Sequence, residues 1–563
     1  MDNEKKELLK IKKNLFVSAC PGAGKTKFLL AMLEDNIRYG SENKWHIVLT
    51  HTNAAADEIN LRLDNQNVIN DRIWCGTIHS FLLEWVVRRY AGAMVRTKNG
   101  FRLISEREHR DIIRKIEKDK FPNYKLKFKW DEYGGSQVEP FCLCNEPENI
   151  LDVQKNEEMA REEYERYKME SRIIDFNDIL TLSRDFLANN EKVSEYLSKL
   201  IGYIYLDESQ DTSYIQLDAL SSITKYNRTI MLVVGDNDQA IYQDLGVSIK
   251  NDVSIKKILK LNDLAVRQLT GCYRSTKSLV EYYKKYSYSK SDVQSIREEV
   301  GKFPVIRDTL QTELADRIIN LIRKYNNLKG NVEGVAIIGP NKYYLNALIN
   351  DLYDRSNEFV FDFYSTNPLY TLKDTVYYDL VRLTLLDVSV KNYRVRQALC
   401  TSIKDKIPEF DSLSCSDLKR TIKQFKTKRT VFIFWLKDFY DFLFSNLPNS
   451  QKIISDYLIC RSNISSFPVR ADIVSIRKII NKEANVVKVT TIHGCKGEEY
   501  DYVISIGYHD QIVPHASVIE KGVEYSESVA KRLMFVAFSR AKNHMNIFID
   551  DRKPVSPYFL GNS

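Results

Sequence analysis

The chain has 563 residues, more than one hydrophobic core organises, and its 44% hydrophobic and 28% charged content describe several packed lobes rather than a disordered or fibrous polymer. The formal charge of +8 is mild for this length, so it permits a nucleic-acid partner without arguing for one. No uninterrupted run of about 18 apolar residues offers a membrane span, the N-terminus has no apolar signal core, and the nine Cys include no CxxC pair, so no disulfide or zinc framework is expected and the chain is expected in the cytoplasm.

In chain order, Leu15–Ala19 is a β-type run followed by a Gly loop and a helix from Lys25, and His46–Thr50 is a second run followed by a helix through Leu63. This alternation implies a parallel sheet. Residues 91–170 are charged, Lys-rich and mostly helical, with an irregular stretch near Asp131–Pro147, and they read as an insertion. Further β-type runs follow at Tyr203–Leu206, Thr229–Val234, Gly334–Ile338, Val486–Thr491 and Tyr502–Gly507. Residues 387–480 are again helical, and the apolar stretch Val431–Phe444, which carries Lys437, Asp438 and Asp441, predicts a buried helix. The pattern is α/β: two parallel-sheet lobes, each with a mostly helical insertion.

Ser18-Ala19-Cys20-Pro21-Gly22-Ala23-Gly24-Lys25-Thr26 lies between a strand and a helix, the context that a phosphate-binding loop requires. Gly22 and Gly24 let backbone N–H groups curl toward phosphate oxygens, and the helix N-terminus adds partial positive charge. Lys25 suits the β- and γ-phosphates and Thr26 suits Mg²⁺. The strict pattern has Gly at position 19, where this chain has Ala19.

Ile204-Tyr205-Leu206 runs into Asp207 and Glu208. At the carboxyl end of a parallel strand this pair faces a bound nucleotide; Asp207 suits the metal shell and Glu208 suits polarising the attacking water. Val233-Val234-Gly235-Asp236 leads into a polar loop with an amide, Gln239, able to hydrogen-bond water or phosphate.

Taken in order, these segments resemble the UvrD/Rep/PcrA-like superfamily 1 helicases, whose lobes are RecA-like. The resemblance runs from Ser18 to Lys542. Leu49–Asn53, followed by Ala54–Glu58, resembles motif Ia, Gly76–Phe81 motif Ib, and Asp175–Leu180 the short acidic motif. Asp207–Asp211 resembles motif II, Gly235–Tyr242 motif III, Cys272–Ser275 motif IV, Val489–Asp501 motif V and Phe535–Lys542 motif VI. The resemblance implies ATP and Mg²⁺ as cofactors, with Ala19 through Lys27 (Ala19, Cys20, Pro21, Gly22, Ala23, Gly24, Lys25, Thr26, Lys27), Tyr273, Gly497 and Glu499 around the nucleotide. It implies Lys25, Asp207, Glu208, Gln239, Arg274 and Arg540 in catalysis, and Thr26 and Asp207 on the metal. It implies Thr50, His51, Asn53, Thr77, His79, Tyr242, Thr491 and His493 along single-stranded or tailed DNA, with His79 and His493 open to a packing role instead. The expected division is lobe 1A at 1–90 and 171–275, insertion 1B at 91–170, lobe 2A at 276–386 and 481–563, and a short insertion 2B at 387–480. The chain ends soon after motif VI, with no room expected for a nuclease domain.

The sequence departs from the family at defined points. Lys5 stands where the family has the Gln that reads the adenine edge, leaving base selection to Tyr273. Val529 and Ala530 replace a usual pair of Glu before motif VI, and Asp244-Leu245-Gly246 replaces the usual aromatic-Arg-Gly of motif III. Compact UvrD-like proteins of this kind accompany a nuclease in anti-phage systems such as Gabija. Two functions follow as expectations: a 3′-5′ helicase with single-strand-stimulated ATPase activity, or a DNA-sensing regulatory ATPase that controls a partner nuclease without processive unwinding. A carboxylate beside the strand repels phosphates, and Leu cannot relay charge to the nucleotide. Asp244→Trp combined with Leu245→Arg is therefore expected to tighten single-strand binding by about 1–3 kcal/mol by restoring a stacking platform; equilibrium titration of a labelled oligonucleotide measures it, and unchanged affinity refutes this reading of the loop.

Overall fold

A computed structural model describes residues 3–39, 43–65, 71–122, 124–130, 136–142, 150–242, 250–364, 366–373, 375–389, 392–448, 450–462, 472–550 and 552–559. The altered motif III residues Asp244, Leu245 and Gly246 lie outside them. The chain forms two compact units, residues 1–298 and 299–563. Among the described residues no helix is long and apolar enough to cross a membrane.

The first unit is built on six parallel strands: β1 Leu15–Ala19, β2 Trp45–Thr50, β3 Ile73–Thr77, β4 Ile201–Leu206, β5 Ile230–Gly235 and β6 Ala265–Leu269. Their order is β6-β1-β5-β4-β2-β3. The strands are short, rich in Val, Ile and Leu, and largely buried, as strands with both faces covered must be. The core joins Ile47, Leu49, Ile204, Leu206 and Val233 to Phe81, Trp85 and Leu220 from the covering helices.

The insertion departs from expectation. Where an irregular stretch was expected near residues 131–147, residues Ser136–Cys142 form a strand paired antiparallel with Tyr124–Trp130. The alternation Tyr124-Lys125-Leu126-Lys127-Phe128-Lys129-Trp130 has the period of two that favours a strand. Helices Glu106–Lys120 and Ile150–Glu170 flank this hairpin. The unit boundary also falls later than the expected 275/276. Strand Gly271–Cys272 pairs with Gln294–Ser295, and the Asp238 carboxylate accepts hydrogen bonds from the hydroxyls of Ser287 (2.5 Å), Ser289 (2.7 Å) and Ser291 (2.6 Å). These contacts hold residues 276–298 on the first unit.

The second unit repeats the parallel plan with β7 Val305–Asp308, β8 Val335–Gly339, β9 Val360–Asp362, β10 Val486–Thr491, β11 Tyr500–Ile506 and β12 Ala541–Ile549, in the order β7-β12-β11-β8-β10-β9. The helical insertion between β9 and β10 has its own core, with Leu399, Ile403, Phe410, Trp435, Phe439 and Leu443. Helix Phe432–Asn446 lies where the apolar stretch predicted one. The insertion core begins before the expected residue 387: helix Val376–Leu385 joins it, with Val376 N–H donating to Asp456 Oδ2 at 2.8 Å.

One buried ion cluster ties the first insertion to its lobe. Lys168, fully buried, donates to Asp178 at 2.9 Å, Asp175 at 3.2 Å and Glu165 at 2.8 Å, while Tyr164 O–H donates to Asp175 at 2.9 Å. Asp175 and Asp178 also form the reciprocal cap of helix Phe176–Asn189. Removing the ammonium leaves two buried carboxylates facing each other, with Arg96, 3.8 Å from Asp178, offsetting only part of their charge. Lys168→Met is expected to cost about 3–5 kcal/mol, read as a lowered denaturant midpoint; a loss within about 0.5 kcal/mol would place the variant among ordinary surface changes and refute the cluster's structural role.

Candidate functional site

The site in the first unit starts from β1. Its pairing with β5 and β6 carries through into the loop that follows, where Cys20 N–H donates to Leu269 O at 2.9 Å and Tyr273 N–H donates to Gly22 O at 2.9 Å. The loop then turns into helix Lys25–Tyr39 through Gly22 at φ +72° and Gly24 at φ +77°. Gly22 needs both the conformation and the space: a Cβ there would lie 2.6 Å from Arg274 Cβ and 2.9 Å from Cys272 Sγ. Ala19, Cys20, Pro21 and Ala23 are buried, Lys25 and Thr26 are half-buried at the head of the helix, and Lys27 is exposed.

β4 delivers its two carboxylates to the same place. Thr26 Oγ1 donates to Asp207 Oδ2 at 3.1 Å, and Glu208 N–H donates to Asp207 Oδ1 at 2.9 Å. Glu208 has left-handed backbone angles of φ 51° and ψ 45°, a conformation costly for a non-glycine residue and concentrated at functional sites. Burial, and then the neighbouring Glu208 charge, push Asp207 up to about 7 against the pull of Lys25. Burial likewise pushes Asp236, at the end of β5, up to about 6, again against Lys25.

Two amides join these carboxylates. Gln239 Nε2 donates to Asp236 Oδ2 at 2.6 Å. Gln210 Nε2 donates to Glu208 Oε2 at 2.6 Å while its Oε1 accepts from Asp236 N–H at 2.9 Å. The close approach fixes Gly235, where a Cβ would lie 2.3 Å from Ser209 Oγ. Gln210 and Asp236 were not singled out from the sequence; the signal available was their place just beyond the ends of two neighbouring parallel strands. Lys5, on helix Asn3–Leu9, also comes here, with its Nζ 4.2 Å from the Tyr273 ring centroid. Tyr273 is exposed and Arg274 half-buried.

Thr26 and Asp207 present hard oxygen donors from two elements that meet at one point, which fits Mg²⁺. Among the described residues no group of three His, Cys, Asp or Glu could hold a metal.

The expected nucleic-acid residues of this unit follow β2, β3 and β5. His51 stacks on Tyr242 with centroids 5.7 Å apart, and His79 lies edge-on to Phe176 at 6.0 Å. Phe176 is exposed and was not assigned a role from the sequence. Burial, then the proximity of His51, lower His79 to about 4, so it is neutral at pH 7. Asn53 is exposed. Thr50 and Thr77 spend their hydroxyls locally: Thr50 donates to Thr52 O at 2.9 Å, and Thr77 caps the next helix by accepting from Ser80 N–H at 3.2 Å.

In the second unit Thr491 ends β10 and its hydroxyl accepts from Gly494 N–H at 3.0 Å, with His493 exposed beside it. Gly497 and Glu499 are exposed before β11, and Glu499 pairs with Lys542 at 2.8 Å. Arg540 is 1% exposed and donates to Val536 O at 2.9 Å, Ser539 Oγ at 2.8 Å and Glu498 O at 3.3 Å. Val529 and Ala530 are buried inside helix Val523–Phe538 as packing residues.

Each unit carries an open parallel sheet, and the first holds a complete phosphate loop with its acidic partner strand; this is a P-loop nucleotide hydrolase. The UvrD/REP helicase N-terminal domain matches residues 1–260, and the UvrD-like helicase C-terminal domain matches residues 415–550. Among relatives, the "ATP-dependent DNA helicase Rep" of Buchnera aphidicola subsp. Schizaphis graminum is 24% identical over 96% of this chain and 92% of its own. The "ATP-dependent DNA helicase PcrA" of Staphylococcus aureus is 28% identical over 50% of this chain and 39% of its own. The chain belongs to the UvrD-like superfamily 1 helicases and is an ATP-hydrolysing enzyme of that family.

Gly22→Ala is expected to force the loop and Arg274 apart and lower nucleotide affinity at least about tenfold, since it adds backbone strain of roughly 1–3 kcal/mol to a direct clash. Displacement of a fluorescent nucleotide measures this; unaltered affinity would show that the loop does not receive the phosphates.

Proposed function

We propose that the chain hydrolyses ATP with Mg²⁺ at the first unit and uses the cycle to move 3′ to 5′ along single-stranded DNA, which in turn stimulates hydrolysis. The observation that carries the reading is the convergence of Thr26, Asp207, Glu208 and the Gln210 amide at the end of a phosphate loop. Loop N–H groups and Lys25 bind and orient the phosphates. Thr26 and Asp207 hold Mg²⁺, which when bound neutralises charge on the phosphates. Glu208 orients the attacking water and accepts its proton, with Gln210 fixing the carboxylate. Tyr273 offers an exposed ring to the base. His51, Tyr242, His79 and Phe176 form ring surfaces on which DNA bases stack.

A second reading is a DNA-sensing ATPase that controls a partner nuclease, as in anti-phage defence. The replacement of the motif III aromatic and Arg by Asp244 and Leu245 favours it. Under this reading ATP turnover responds to DNA while a 3′-tailed duplex stays paired.

Phosphate release with and without single-stranded DNA, run beside strand displacement on a 3′-tailed duplex, tests both. Lys25→Ala is expected to abolish turnover, and Glu208→Gln to keep ATP binding with turnover reduced about a hundredfold or more, the scale of general-base catalysis. Normal turnover by Glu208→Gln would overturn the assignment of the base. Turnover unaffected by DNA would overturn the coupling in both readings.

A further inference from the structure

The second unit carries a groove of about 260 Å³ whose lining includes none of the nucleotide-site or expected DNA residues. It lies where β7, the edge strand of the sheet, meets helix Gln311–Lys329. Val305 and Arg307 stand two apart on β7 and so share one face, which Asn546 of β12 and Tyr502 of β11 continue. That face is bonded from its edge inward: Arg307 Nε donates to Asn546 Oδ1 at 2.8 Å, and Asn546 Nδ2 donates to Tyr502 Oη at 2.7 Å. Leu321, Tyr325 and Leu328 of the helix form the other wall, with the Tyr325 ring centroid 5.6 Å from that of Tyr502.

We propose that this groove docks an acidic, extended segment of a partner protein, which adds as a strand to β7 and seats an apolar side chain in the groove. Charge complementarity carries the choice of occupant: Lys302, Arg307, Lys324 and Lys329 line the groove and no carboxylate does. The apolar side chains at its mouth are open to solvent, with Phe303 and Val305 exposed and Leu328 76% exposed. Among the described strands β7 pairs with β12 alone, so its outer edge offers main-chain groups to an added strand. A strand placed there projects every second side chain onto the face that Val305 and Arg307 share. The volume lies below the roughly 300–1,000 Å³ of small-molecule sites and suits an inserted side chain better than a cofactor. Nucleic acid is a poorer match, because bases stack on open rings, whereas Tyr325 and Tyr502 are buried and the exposed Val305 and Leu328 are aliphatic. The inference is independent of the nucleotide site and holds whether or not the chain unwinds DNA.

The probe is a short labelled peptide with a Leu-Thr-Leu core flanked by Glu, titrated with the full chain in the absence of nucleotide and read by fluorescence anisotropy. Matched peptides carry Lys for Glu, Ser for Leu, or N-methyl groups on alternate amides in either register, and labelled oligo-dT is titrated beside them. Lys324→Glu with Lys329→Glu reverses two exposed charges, and Leu328→Ser removes an exposed apolar contact; thermal melting checks that both variants fold. Wild type is expected to bind the Leu-Glu peptide, more weakly as salt rises. Each variant is expected to weaken that binding about tenfold. The Lys and Ser peptides, and one register of N-methylation, are expected to lose it, while oligo-dT binds wild type and variants alike. Absence of binding by the Leu-Glu peptide overturns the proposal, as does binding that either variant leaves unchanged. Equal binding of the Ser peptide reduces the groove to plain charge attraction and overturns it too. Indifference to N-methylation in both registers removes the added strand. Loss of oligo-dT affinity in the charge-reversed variant, in step with the peptide, makes this a nucleic-acid surface and also overturns the proposal.

Discussion

The placement of β1 between β5 and β6 is the constraint from which the first unit's site follows. A parallel strand ends with its last carbonyls and the first turn of the following helix on one edge of the sheet, so three adjacent strands deliver three loops to one place. β5 brings Asp236, β6 leads to Cys272, Tyr273 and Arg274, and β1 brings the loop itself. The backbone bonds from Cys20 to Leu269 and from Tyr273 to Gly22 extend sheet-like pairing beyond the strands. That leaves no room for side chains at Gly22, and the glycine there is as much a packing requirement as a conformational one.

The price of this convergence is electrostatic. Asp207, Asp236 and Asp238 are all buried, with Glu208 beside them, and burial first, then neighbouring like charge, raises Asp207 and Asp236. Hydrogen bonding to the charged forms offsets part of the penalty: Asp207 accepts from Thr26 and Glu208 N–H, Asp236 from Gln239, and Asp238 from three serine hydroxyls. A site built this way carries more buried negative charge than its neighbouring cations balance, which suits it to a divalent cation.

The strands and the phosphate loop were legible because their signals are local. Val-rich runs, GxGKT and a strand ending in two carboxylates each depend on a few neighbouring residues. The interactions that were not legible depend on how elements pack. Lys168 lies only seven and ten residues before Asp175 and Asp178, yet nothing in that charged stretch marks these three as the buried ones, and the sequence placed Lys5 and Tyr273 at one site without showing that the ammonium lies over the ring. Gln210 looked like one polar residue among several until β4 and β5 were placed side by side. The hairpin in the first insertion was a different failure: its alternation is local, but Lys at every second position resembled the charged helices around it. The late boundary at residue 298 depends on serines that acquire meaning only through Asp238.

The second unit carries the same logic to its arginine. Arg540 is tied to Val536 O, Ser539 Oγ and Glu498 O, while Tyr500 N–H donates to Arg540 O at 2.9 Å and Lys542 pairs with Glu499. Motifs V and VI are thus bonded to each other through Arg540. An arginine has five donors, so it can keep some of these bonds while offering others to an anion. Any bond it surrenders frees a carbonyl of the helix end at Val536 or of the turn at Glu498, and a freed buried carbonyl is costly unless its segment rearranges. Displacing the Arg540 guanidinium from these partners therefore cannot be a side-chain event alone. It must be felt at the head of β11 and at the end of helix Val523–Phe538, the two segments its bonds tie together.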